Sequence, residues 1–100
     1  SGQGKVFGVY AALADKDVEG VMRAMAPVVE RWWFAGLDVP RGLEVQTLVE
    51  RARACGIAGC TASESVADAM ASALAEAGEN VFNLGTVADG VGVRYTGTLA

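Results

Sequence analysis

The sequence predicts an α/β domain: a mostly parallel sheet of about four strands with flanking helices, in a single domain spanning residues 1–100. Two observations lead there. Short apolar runs alternate with segments in which apolar residues recur at helical spacing. The first of those runs is almost unbroken, as a strand covered on both faces requires, and it ends in three charges just where a helical pattern begins.

The first strand is expected over Lys5 to Leu13. Val18, Val21, Met22, Met25 and Val29 then recur at helical spacing, with Asp17 as N-cap and Pro27 to end or kink the helix. Arg31 to Leu37 is short, aromatic and followed by Gly, Asp and Pro residues, so it reads as a second strand with its exit loop. Trp32 and Trp33 are adjacent and should point to opposite faces, each under a covering helix.

Glu44 to Cys55 places Val45, Leu48, Val49, Ala52 and Cys55 on one helical face, with Gly56 as C-cap. Ile57 to Thr61 reads as a weak third strand. Ser65-Val66-Ala67-Asp68 has the form of a capping box, and a stripe of Val66, Ala69, Met70, Ala73, Leu74 and Ala77 follows until Gly78. Asn80 to Leu84 is a fourth short strand. Thr86-Val87-Ala88-Asp89 repeats the capping form and predicts a last helix. Gly90, Gly92 and Gly97 oppose that helix, and Val91, Val93 and Tyr95 alternate as in a strand.

The chain carries 12 acidic and 8 basic residues, a net charge of −4. That balance argues against a general nucleic-acid surface and against an anionic membrane face, since both need a basic patch. No apolar run is long enough for a transmembrane helix, and Ser1-Gly2-Gln3-Gly4-Lys5 lacks signal-peptide anatomy, so a cytoplasmic protein is expected. Cys55 and Cys60 are then read as reduced packing thiols. Histidine is absent and there is no second cysteine pair, so no zinc site or other metal set is expected.

Asp15, Lys16 and Asp17 are the first candidate site, because the carboxyl edge of an open α/β sheet is where ligands bind. There Lys16 would hold a substrate carboxylate or phosphate, with Asp15 or Asp17 orienting Lys16 or a metal-bound water. The alternative is a helix cap beside solvated charges. Thr86 has the same two readings, cap or anion contact. Arg41, in a loop after Pro40, reads as an anion binder or as a solvated surface residue. Gly2-Gln3-Gly4-Lys5 is not a phosphate loop, because its spacing is wrong and it precedes a strand.

Val6 to Val21, with its Leu-Ala-Asp-Lys-Asp core, resembles the carboxy-terminal domain of the folylpolyglutamate synthase/dihydrofolate synthase family, within the Mur ligase superfamily. Trp32-Trp33-Phe34-Ala35-Gly36-Leu37, Pro40-Arg41-Gly42, Ser65-Val66-Ala67-Asp68-Ala69 and Thr86-Val87-Ala88-Asp89 fall at matching places. The resemblance implies a Rossmann-like three-layer domain lacking its first strand, since the family's Asp-Gly-Ala-His-Asn-Pro motif has no counterpart here. An open sheet edge suited to self-association would follow. The element Gly-Ser-Phe-His/Tyr-Thr-Val appears as Asn83-Leu84-Gly85-Thr86-Val87, one residue shorter.

The resemblance further implies a cytosolic ligase of folate biosynthesis and one-carbon metabolism. Such enzymes use ATP and Mg²⁺, bound mainly by an N-terminal ATPase domain that these residues do not include. An acyl phosphate forms on a pteroate or folate carboxylate, and the amino group of L-glutamate attacks it to give an amide. Asp15, Lys16, Asp17 and Thr86 would contribute glutamate and phosphate contacts, with no certain catalytic residue and no metal ligand. The chain would be a fragment, inactive alone. The alternative, from another class, is a non-catalytic α/β binding or protein-interaction module that keeps only the fold.

Overall fold

A computed structural model describes residues 5–77, 81–86 and 91–96. Its elements run β1 (Lys5–Tyr10), α1 (Val18–Met25), β2 (Arg31–Ala35), α2 (Val45–Ala54), β3 (Cys60–Ser63), α3 (Val66–Ala77), β4 (Val81–Thr86) and β5 (Val91–Thr96). The sheet order is β3-β2-β1-β5-β4. β1, β2 and β3 pair in parallel, while β5 runs antiparallel to both β1 and β4.

The aromatic run of β2 divides its side chains between two layers. Trp32 and Phe34 face one side and stack with ring centroids 5.6 Å apart. Tyr10 of β1, Val18 and Met22 of α1, and Leu48, Val49 and Ala52 of α2 complete that core. Trp33 and Ala35 face the other side with Phe7 and Val9 of β1, under Ala69 and Ala73 of α3. The adjacent tryptophans therefore do point to opposite faces, as a strand's two-residue period requires. The result is three layers, with α1 and α2 on one face and α3 on the other.

Two predicted caps form. The Ser65 hydroxyl accepts from the Asp68 N–H at 3.0 Å, and the Asp17 carboxylate accepts from the Gly20 N–H at 3.0 Å. α1 ends at Met25, two residues before Pro27. At the end of α2, Gly56 takes φ +83°, a conformation in which a side chain is strained. The Gly56 N–H donates to the Arg53 carbonyl and the Ile57 N–H to the Ala52 carbonyl, both bonds of a Schellman cap.

That cap explains one correction. Ile57 does not open the third strand; it is the apolar residue that follows the cap, buried in the α1/α2 core. β3 starts three residues later, at Cys60. The first two strands are also shorter than expected, ending at Tyr10 and Ala35.

The larger correction concerns the last segment. Residues 91–96 form a strand rather than a helix. Its glycines weaken a helix, whereas alternating Val91, Val93 and Tyr95 suit a pleated strand. The residues between Thr86 and Val91 lie outside those described. The sheet therefore has five strands among the described residues, and β5 lies between β1 and β4. Among the described residues β3 and β4 are the outer strands.

Candidate functional site

Because β1, β2 and β3 are parallel, their exit loops gather at one edge of the sheet. The loop after β1 begins with buried Ala11 and Ala12 and emerges as exposed Ala14, Asp15, Lys16 and Asp17 before α1. The loop after β2 runs alongside it. The Leu43 N–H donates to the Ala12 carbonyl at 2.9 Å, and the Ala14 N–H to the Arg41 carbonyl at 2.7 Å. Leu13 and Gly42 form an antiparallel bridge between these bonds. Backbone pairing therefore fixes the two loops against each other, independently of their charged side chains.

Asp15 and Arg41 meet across this seam, with Oδ2 and Nη1 3.6 Å apart and side chains 56% and 70% exposed. The sequence marks Arg41 as an anion binder or a solvated residue and carries no signal joining it to Asp15. The two stand on loops after different strands, and only the sheet brings them together. Lys16 stays at the same edge, its N–H bonded to the Leu13 carbonyl at 3.2 Å.

Asp17 is the N-cap, and its carboxylate is engaged with α1. A Cβ on Gly20 would fall only 2.2 Å from Asp17 Oδ2, so the glycine gives the carboxylate room to cap. Asp17→Ala is expected to lower stability by about 0.5–2 kcal/mol, whereas Asp17→Asn, which keeps a capping oxygen, should lower it far less. Thermal unfolding of the two variants checks this.

Thr86 is the last residue of β4 and stands opposite Gly92 of β5, while Tyr10 at the end of β1 stands opposite Val91. The same end of β5 thus pairs with the carboxyl ends of both strands. Thr86 lies at the same edge as Asp15, two strand spacings or about 10 Å from β1. The helix it was expected to cap is absent among the described residues, which removes that half of the expectation.

Beyond the seam, a depression of about 410 Å³ opens over the ends of β2 and β3 and the start of α2. Asp38, Glu44, Gln46, Ser63 and Glu64 are its polar lining. Sequence reading did not single it out, because its walls come from three separate segments. The edge as a whole therefore carries cations at Lys16 and Arg41 and carboxylates at Asp15 and around the depression. Such a surface can hold a ligand bearing both signs of charge.

No protein-family model matches the chain. The dihydrofolate synthase/folylpolyglutamate synthase of Escherichia coli (strain K12) is 34% identical to it over 74 residues, which is 74% of this chain and 16% of that protein. A solved structure of Mycobacterium tuberculosis folylpolyglutamate synthase complexed with ADP superposes with a TM-score of 0.62 at 31% identity. It covers 71% of this chain and 17% of that one. The chain belongs to the dihydrofolate synthase/folylpolyglutamate synthase family.

This synthase-family chain thus spans only 16–17% of the length of these relatives. Its parallel strands with flanking helices match the fold of the tuberculosis enzyme. The family consists of folate-related ligases. Among the described residues no helix is long and apolar enough to cross a membrane.

Proposed function

We propose that this chain is the carboxy-terminal domain of an ATP-dependent amide ligase that adds L-glutamate to dihydropteroate or a folate in the cytoplasm. Its task is to present glutamate, and to meet phosphate, at the carboxyl edge of the sheet through Asp15, Lys16, Asp17 and Thr86. The observation that carries this reading is the joint placement of those residues at one edge, in a chain related to folylpolyglutamate synthases.

The chemistry asks little covalent work of such a domain. ATP would supply the phosphoryl group that activates the acceptor carboxylate, leaving ADP; the glutamate amine, its ammonium proton lost to solvent, would then form the C–N bond to the acyl carbon as the C–O bond to phosphate breaks and the remaining extra proton leaves the nitrogen. The rate then depends on holding the amine over the face of the acyl carbonyl and on balancing the charge of the departing phosphate. Lys16 suits either a glutamate carboxylate or a phosphate, because an ammonium makes charge-assisted hydrogen bonds to both. Asp17, fixed as the α1 cap, acts by holding the Asp15-Lys16 turn in place.

ATP and Mg²⁺ fit this chain poorly. Among the described residues no group of three or more His, Cys, Asp or Glu side chains comes together to hold a metal. The sequence has no run with the spacing of a glycine-rich phosphate loop. In the proposal these ligands are held mainly by the remainder of the enzyme, and the isolated chain is inactive.

Calorimetric titration with L-glutamate tests the reading. Saturable binding to the 100-residue chain, weakened by added phosphate competing for the edge, is expected. Absence of any heat of binding, from a chain that unfolds cooperatively, would contradict it.

A further inference from the structure

We propose that Arg41 and Asp15 together form a receptor for the zwitterionic head of an α-amino acid, the guanidinium taking its carboxylate and the Asp15 carboxylate its ammonium. This rests on the reading that the edge binds L-glutamate, and adds to it a residue, Arg41, and an orientation for the ligand.

The pair has the geometry of a receptor more than of a structural clasp. At 3.6 Å, its oxygen and nitrogen stand beyond ordinary hydrogen-bond range. Both side chains are mostly exposed, and solvated pairs of this kind add little to stability. Their positions are set instead by the backbone seam between Ala12–Ala14 and Arg41–Leu43, which persists whether or not the side chains touch. The two opposite charges therefore sit side by side on a scaffold that does not need them paired.

An α-amino acid carries the complementary arrangement, an ammonium and a carboxylate on neighbouring atoms. The ligand would slip its two charges onto the pair, replacing one weak contact with two charge-assisted ones. Arg41 can receive the carboxylate in the two-pronged manner a lysine cannot. Lys16, next to Asp15 in the same loop, then supplies charge for a further anionic group, such as the second carboxylate of glutamate. Two other exposed pairs among the described residues lack this setting. Glu19–Arg51 joins the sides of two helices, and Arg31–Glu76 joins the start of β2 to the last turn of α3.

Amide-resolved NMR titration of the 100-residue chain with L-glutamate and with glutarate, the same diacid without the ammonium, separates the two roles. Arg41→Gln should weaken both ligands about tenfold, the loss expected for one charge-assisted contact. Asp15→Asn should weaken L-glutamate about tenfold while leaving glutarate as tight as before or tighter, since a repelling carboxylate has gone. Arg53→Gln, an exposed cation in the last turn of α2 at the opposite end of the sheet, should change neither by more than about twofold.

If both Arg41→Gln and Asp15→Asn bind L-glutamate as the parent does, the receptor is wrong while the glutamate reading stands. Equal weakening of glutarate and L-glutamate by Asp15→Asn also overturns it, because Asp15 would then be shaping the loop. A parent chain that binds neither compound removes the glutamate reading and this inference with it. Well-dispersed spectra for each variant show that the fold persists in the comparison.

Discussion

Lys16→Ala is expected to lower the affinity of this chain for L-glutamate and for inorganic phosphate by roughly ten- to a hundredfold, the range for losing one hydrogen bond to a charged group. The fold should be unaffected. Lys16 is exposed, the bond to the Leu13 carbonyl comes from its backbone N–H, which the substitution keeps, and α1 keeps its own cap at Asp17. Surface changes of this kind alter stability by no more than about 0.5 kcal/mol. Titration of the variant beside a thermal melt checks both halves. Unchanged affinity would take Lys16 out of the site, whatever the rest of the edge does.

Phe34→Ala should produce the largest loss of stability. Phe34 is fully buried, stacked on Trp32 and edge-on to Tyr10 at 6.3 Å, in the core under α1 and α2. Truncating a buried phenylalanine costs about 3–5 kcal/mol, against a total of about 5–15 kcal/mol for a domain of this kind. At about 4–8 °C per kcal/mol the melting temperature should fall by more than about 12 °C. Val39→Ala, at a half-exposed loop position, is the control and should move it little. A drop of only a degree or two in Phe34→Ala would mean that β2 does not carry the core as described.

What was legible in the sequence was whatever depends on neighbours along the chain. Asp17 and Ser65 were recognisable as caps because the bonds they form reach only three residues ahead. Gly56 was recognisable as a helix stop because a positive φ favours glycine. The opposed tryptophans followed from strand period alone.

What failed depended on partners elsewhere. Ile57 looked like the start of a strand because its apolar character cannot reveal that it packs behind a cap. Thr86 to Asp89 has the form of a helix start, and that local capping pattern competes with the alternation that follows it. In the folded chain residues 91–96 find pairing on both sides, from β1 and β4, and that pairing outweighs a weak local signal.

The candidate site divides in the same way. Asp15, Lys16 and Asp17 could be placed at a sheet edge from a single strand-to-helix junction. Thr86, expected at the exit of a fourth strand, does end β4 at that edge, although β4 is joined to β1 through the antiparallel β5 and not by a parallel neighbour. Arg41 was visible as a charge but not as the neighbour of Asp15, since the seam of bonds between their loops has no sequence signature. The acidic depression at the ends of β2 and β3 is likewise a product of topology.

The central claim is that this edge binds L-glutamate, and residue-by-residue NMR shifts during a titration with L-glutamate test it most directly. Saturable shifts concentrated at residues 14–18, at Arg41 and at Thr86, with the rest of a dispersed spectrum unmoved, are the predicted result. A dispersed spectrum in which those amides stay still, or in which the shifts gather elsewhere, would contradict the account.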